Sequence, residues 1–178
     1  VVVFAATIAF DITEAIAPPV DADSLAYHYA LPDLFLKAKQ IIFVPRAIDG
    51  AAPLLWQMTY VPVLALGGES ALTIWSMVTS YATAILFFVI ARHYLTAIWA
   101  LAFTILLLNT PVVIYSGGSG QVEIRNAAFV LGGLWALLQS REHGLKWILL
   151  AGLFAGFFAA SKYFGLLFLL SLGIAIIF

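Results

Sequence analysis

The sequence predicts an all-α fold: a polytopic transmembrane helix bundle with an extracytoplasmic first loop containing short interfacial helices. Three observations predict it. The 178 residues are 64% hydrophobic and 10% charged, with mean hydropathy +1.08, whereas a globular domain averages about 45–50% apolar and about 25% charged. Uncharged apolar runs recur at lengths near the ~20 residues that span a bilayer. The acidic residues are also unevenly placed: seven of the nine (Asp11, Glu14, Asp21, Asp23, Asp33, Asp49 and Glu69) fall in the first 70 positions. A net charge of −1 supplies no basic field, so no nucleic-acid partner is expected. The absence of cysteine excludes disulfides, thiolate chemistry and cysteine-ligated metals.

The expected elements run in order. Residues 1–10 are too short to cross a bilayer and read as the outer end of a first spanning helix. The chain opens on Val1-Val2-Val3 and closes in the apolar run Ala175-Ile176-Ile177-Phe178, so 1–178 is expected to be one transmembrane domain cut at both ends. Residues 11–70 form the outer loop. Within it Ser24–Leu31 and Asp33–Lys39 can be short helices separated by Pro32, which disfavours helix at the residue before it. Pro53–Leu66 carries Trp56 and Tyr60 on one face, suits a helix lying in the interface, and would kink at Pro62. Membrane helices follow at 71–91, 95–115, 122–139, 147–161 and 164–178. The last two are separated by Ser161-Lys162-Tyr163, and two short helices or one long helix carrying Lys162 both fit. Arg92, Arg141 and Lys146 sit in short loops that the positive-inside tendency places in the cytoplasm. Asp23, Glu123 and, with a break at Ser161, Lys162 then share the outer face.

That face holds the candidate chemistry. Pro18-Pro19-Val20-Asp21-Ala22-Asp23-Ser24-Leu25-Ala26-Tyr27-His28-Tyr29 gathers two carboxylates, two tyrosines and a histidine in a chain otherwise poor in them. One aspartate of the pair can be a helix N-cap; the other can be a general base. Tyr27 lies one helical turn from Asp23, and a lone histidine such as His28 is more often a structural hydrogen-bonder than a ligand. Asp21-Ala22-Asp23 is formally an Asp-x-Asp pair that could hold a divalent cation. Glu123 opens an apolar helix where the dipole favours it, while Arg125 is on the unfavourable end and offers a planar fork to phosphate. Lys162, between two apolar runs, either snorkels to the interface or serves a site. Gly152 and Gly156 have the spacing of close helix packing. No Walker loop, dinucleotide glycine pattern or zinc-protease motif is present.

Asp23-Ser24-Leu25-Ala26-Tyr27-His28, followed by Pro32, resembles the first extracytoplasmic loop of polytopic GT-C glycosyltransferases, and is similar to the bacterial protein O-mannosyltransferase and aminoarabinose transferase group. Pro53-Leu54-Leu55-Trp56-Gln57-Met58 with Gly67-Gly68 looks like that family's juxtamembrane segment. Gly120-Gln121-Val122-Glu123-Ile124 resembles its second acidic motif, with Glu where the family more often has Asp. Gly152–Gly156 through Ser161-Lys162-Tyr163-Phe164-Gly165 is similar to its glycine-rich helix ending in lysine.

The resemblance implies an integral-membrane enzyme, in a bacterial inner membrane with its site facing the periplasm or exterior. It would move a sugar from a polyprenyl-phosphate donor to a lipid, glycan or protein acceptor. Asp23 and Glu123 would be catalytic; Asp21, Tyr27, His28, Arg125 and Lys162 would bind substrate. No obligatory metal or other cofactor is implied, and a single displacement predicts inversion at the anomeric carbon. A polytopic transporter or lipid flippase is the alternative, although no internal repeat is evident; a non-catalytic membrane scaffold is a third class.

Overall fold

The computed structural model describes residues 2–45 and 52–177, so Arg46 and Asp49 of the first loop lie outside the described residues. The fold is all-helical, with no strand among them. The elements are α1 (Val2–Ile16), a π-helical turn (Ser24–His28), α2 (Ala30–Ala38), α3 (Leu55–Ala91), α4 (Ala97–Leu108), α5 (Pro111–Gly117), α6 (Glu123–His143), α7 (Leu145–Ser161) and α8 (Phe164–Ile177).

Several boundaries differ from the sequence expectation, each for a local reason. Helix α1 continues past residue 10 because Asp11 is buried and accepts a 2.6 Å hydrogen bond from the Tyr81 hydroxyl; it stops just before Pro18-Pro19. Pro32 does not separate two helices. It is the third residue of α2, where the missing N–H costs no intrahelical bond. The interfacial segment and the following span belong to one element, α3, interrupted at Gly68 (φ +68°, ψ −162°). Pro62 stays inside the helix, and the interruption falls where a glycine makes positive φ inexpensive. The expected 95–115 helix is instead α4 and α5, bent by 71° across Asn109-Thr110. Helix α6 runs four residues beyond Gln139, with Arg141 and His143 in the last turn favoured by the dipole. Lys162 is a true break: its backbone is extended (φ −149°, ψ 148°).

Helices α6, α7 and α8 form an up-down-up layer. Antiparallel pairing of α6 with α7 brings Phe129 to Phe157 (5.7 Å between ring centroids) and seats Phe154 on Gly132. The reversal into α8 brings Phe158 to Phe168 (6.1 Å). The turn is so tight that a Cβ on Gly165 would stand 2.2 Å from the backbone of Phe158 and Ala159. Gly152 and Gly156, by contrast, face nothing within 4 Å. The close-packing glycines are therefore Gly132, Gly133 and Gly165 rather than the pair whose spacing suggested it. Ala136, Ala151, Ala155 and Leu172 form the core of this layer. Helix α3 joins it to α1 and α2, with Tyr29, Tyr60 and Leu72 at that junction.

Helix α3 is long and apolar enough to cross a membrane, and α4 with α5 would be a second such segment if the bent pair is one span. Helices α7 and α8 are shorter apolar helices. Polarity along α3 is inverted relative to a water-soluble helix: Thr73, Ser76, Ser80 and Thr83 repeat at helical spacing and are buried, while Val78, Ile85 and Val89 are exposed.

Candidate active site

The site is built at the end of the bundle where α1 finishes and α6 begins. Pro18-Pro19 ends the α1 direction, and the chain re-enters helical geometry at the π-helical turn. Asp21 is the cap: its Oδ1 accepts a 2.8 Å bond from the Ser24 N–H. Asp23 makes no capping bond and is exposed. The capping role thus falls on Asp21 and leaves Asp23 as the available carboxylate. One further residue ties the two. Gln121, itself buried, directs its Nε2 to Asp23 Oδ2 at 3.1 Å and to Asp21 Oδ1 at 3.4 Å.

The loop carrying Gln121 is locked from below. The Gly120 N–H donates to Ser24 Oγ at 2.6 Å, so the π-helical turn and the start of α6 are joined backbone to side chain. A Cβ at Gly120 would sit 2.6 Å from Ser24 Oγ and 2.9 Å from His28 Cβ; only glycine permits this approach. On the α1 side, the Glu14 side chain comes within contact distance of Gly118. The Tyr60 hydroxyl donates to the Gly120 carbonyl at 3.3 Å.

Arg125 and His28, expected to bind substrate, are both buried in the free protein. Arg125 is fully buried. It donates to the Ser76 carbonyl (3.1 Å), Ser80 Oγ (3.5 Å) and the Ser119 carbonyl (3.3 Å), and lies 5.9 Å over the Tyr60 ring. Its two terminal nitrogens knit α3 to the loop after α5, its Nε has no partner, and no described carboxylate pairs with it. What remains for chemistry is its field, which in a low-dielectric surround reaches further than in water. His28 is likewise fully buried, with Nδ1 2.6 Å from Gln57 Nε2. Burial, then the positive charges of Lys162 and Arg125, lower its pKa to about 3, so the ring is neutral at physiological pH.

Tyr27 is half-buried and stacks on His28, ring centroids 3.9 Å apart. Glu123 is exposed at the first position of α6 and forms an ion pair with Lys162, which caps the far end of α7. Asp21, Asp23, Gln121, Glu123 and Lys162 therefore share one end of the bundle. Among the described residues no group of three or more His, Cys, Asp or Glu side chains is arranged to hold a metal; the Asp21–Asp23 pair faces an amide donor instead.

Sequence reasoning missed Gln121 and Gln57. Both stood inside the motifs quoted above, and the usable signal was an uncharged amide placed beside charged or aromatic neighbours in hydrocarbon, where an amide must find partners. Comparison with known protein families, curated proteins and solved structures gave no match.

Proposed function

We propose that this chain is part of a polytopic membrane glycosyltransferase that moves a sugar from a polyprenyl-phosphate donor to an acceptor hydroxyl at the outer face of a bacterial inner membrane. The observation that carries the reading is that Asp23, held by Gln121, and the Glu123–Lys162 ion pair at a helix break gather around the start of α6 from segments far apart in the chain. The membrane setting is supported by the inverted polarity of α3 and by the large apolar side chains exposed along α4, α7 and α8. A lipid-linked donor fits such a setting, with its tail in hydrocarbon and its phosphate at headgroup level.

In this mechanism the acceptor O–H gives its proton to Asp23. The acceptor oxygen bonds to the anomeric carbon from one face as the bond to the phosphate oxygen breaks on the other. The polyprenyl phosphate leaves with the electron pair, and configuration inverts. Lys162 meets the developing phosphate charge, Glu123 orients Lys162, and the buried charge of Arg125 adds to the field without contact. The test is transfer from a panel of radiolabelled polyprenyl-phosphate sugars in membranes containing wild-type protein or Asp23→Asn. The expected result is turnover of one donor by wild type and near-complete loss in the variant; retained turnover ends the proposal.

One observation favours a second reading. The Glu123–Lys162 pair sits where two apolar helices are unwound, as in transporters whose coupling groups lie at broken helices. That reading requires movement of substrate across sealed vesicles without formation of a new glycosidic bond, and loss of that movement in Lys162→Ala.

A further inference from the structure

We propose that the cavity between the π-helical turn, the start of α3 and the α7–α8 turn is a subsite for a hydroxyl-bearing ring. It measures about 170 Å³ and is lined by Tyr27, Pro53, Gln57, Ser161, Lys162 and Phe164, among others. Its walls are mainly apolar, yet two polar groups from different helices line it without a protein partner. Gln57 is 1% exposed with Oε1 unsatisfied, and Ser161 is 1% exposed with Oγ unsatisfied. Leaving such groups unpaired costs the full desolvation of each, so their placement in a cavity points to a ligand that completes them.

The chemistry of the ligand follows from Gln57 and His28. Gln57 Nε2 and His28 Nδ1 bond to each other, and His28 Nε2 is also unsatisfied. If the amide donates one N–H, the neutral ring carries its proton on Nε2, leaving the second amide N–H and the ring N–H as donors and Oε1 as acceptor. If the amide is turned over, the ring donates from Nδ1, leaving the two amide N–H groups as donors and the ring Nε2 as acceptor. Only the Gln57 member lines the cavity, so the cavity meets an amide group of either sense beside the Ser161 hydroxyl. A ligand hydroxyl donates and accepts and satisfies both arrangements. Phosphate and carboxylate only accept, so they leave Oε1 unpaired where the amide donates to His28, and an ammonium group only donates and is repelled by Lys162. A water takes about 30 Å³ in the liquid, so the space holds several waters or one small ring. The apolar walls favour the C–H faces of such a ring.

Whether the ring is the donor's sugar or belongs to the acceptor rests on the transfer reading above, and the two sources are separable. Transfer kinetics are measured for Ser161→Ala and Gln57→Leu. In parallel, protein in nanodiscs is titrated with n-octyl glycosides of several hexoses and pentoses, with n-octyl tetraethylene glycol as headgroup control and tryptophan fluorescence as readout, Trp56 being adjacent to Gln57. KM for one substrate is expected to rise about tenfold with kcat little changed. A rise confined to the donor assigns the ring to the donor, and one confined to the acceptor assigns it there. At least one octyl glycoside is expected to bind wild type better than the control and to weaken about tenfold in each variant.

Ser161→Ala removes one oxygen and carries the test if Gln57→Leu fails to fold. If no transfer occurs but glycoside binding depends on Gln57 and Ser161, the enzyme reading fails and the subsite stands. Unchanged KM values, or glycosides that bind no better than the control, overturn the subsite and leave ordered water as the occupant.

Discussion

The two ends of the bundle treat charge in opposite ways. At the end bearing Arg92, Arg141, Glu142, His143 and Lys146 the charged side chains are exposed or nearly so, and their hydrogen bonds are local: Arg92 to the Leu95 carbonyl at 2.7 Å, His143 Nδ1 to the Gln139 carbonyl at 3.1 Å. At the other end the bonds join residues from distant parts of the chain: Gln121 to Asp21 and Asp23, Arg125 to Ser76, Lys162 to Glu123. Solvated charges near a helix end need no partners and contribute little to stability. Charges and amides that are desolvated and tied across elements oppose the cheapest way to fold. The contrast marks the end that holds the candidate site.

The comparison can be broken at several points, from the largest expected effect to the smallest. Asp23→Asn should lower transfer by about 10²–10⁴-fold, the usual worth of a general base, while Arg141→Gln at the opposite end stays close to wild type; equal losses in the two variants would erase the distinction. Arg125→Met should destabilise the fold by about 1–3 kcal/mol. It leaves the Ser119 carbonyl without its donor, whereas the Ser76 carbonyl keeps the Thr79 and Ser80 hydroxyls. Arg92→Met should change little. Denaturation in detergent, followed by circular dichroism, reads both.

Gln121→Ala should cost about tenfold in kcat, consistent with one lost orienting hydrogen bond of about 1.4 kcal/mol. Gln121→Glu should in addition move the acid limb of the pH–rate profile upward, because it sets a third negative charge beside Asp21 and Asp23. A merely structural role for Gln121 would leave that limb in place.

The smallest effect is in pH-dependent stability. The folded protein holds His28 neutral down to about pH 3, whereas the unfolded chain protonates the ring below its ordinary 6.5. The unfolded state therefore binds the extra proton between those values. Stability from this group is fully present above pH 6.5 and is lost progressively as pH falls toward 3. Thermal melts at pH 7.5 and 5.5 should show a drop in wild type that is smaller in His28→Asn; the same drop in both would remove His28 from the account.

The contrast between the ends also shows what the sequence makes legible. The all-helical character followed from composition and from long apolar runs without strand signals. The grouping of Asp23, Glu123 and Lys162 at one end followed from counting helices and loops. Buried roles did not follow. Sequence spacing does not report depth: Arg125 and His28, expected to bind substrate, are buried and bond carbonyls and an amide. The Gly152–Gly156 spacing was misleading for a related reason: a small-residue pair states that a neighbour could come close, not that one does. Gly165, whose neighbours stand 2.2 Å from where a Cβ would be, carries no spacing signal at all. Gly165→Ala should accordingly weaken the α7–α8 turn, whereas Gly156→Ala should be neutral or slightly stabilising through helix propensity.

The Gln121 bridge has a consequence for biosynthesis. The aspartates it holds are translated about a hundred residues before it, so a ribosome delivers the two carboxylates long before their orienting amide exists. Until α6 emerges, the nascent loop carries two carboxylates with no fixed aim. The bridge therefore forms abruptly and late, when Gly120 seats on Ser24, and a chain arrested short of that point lacks it.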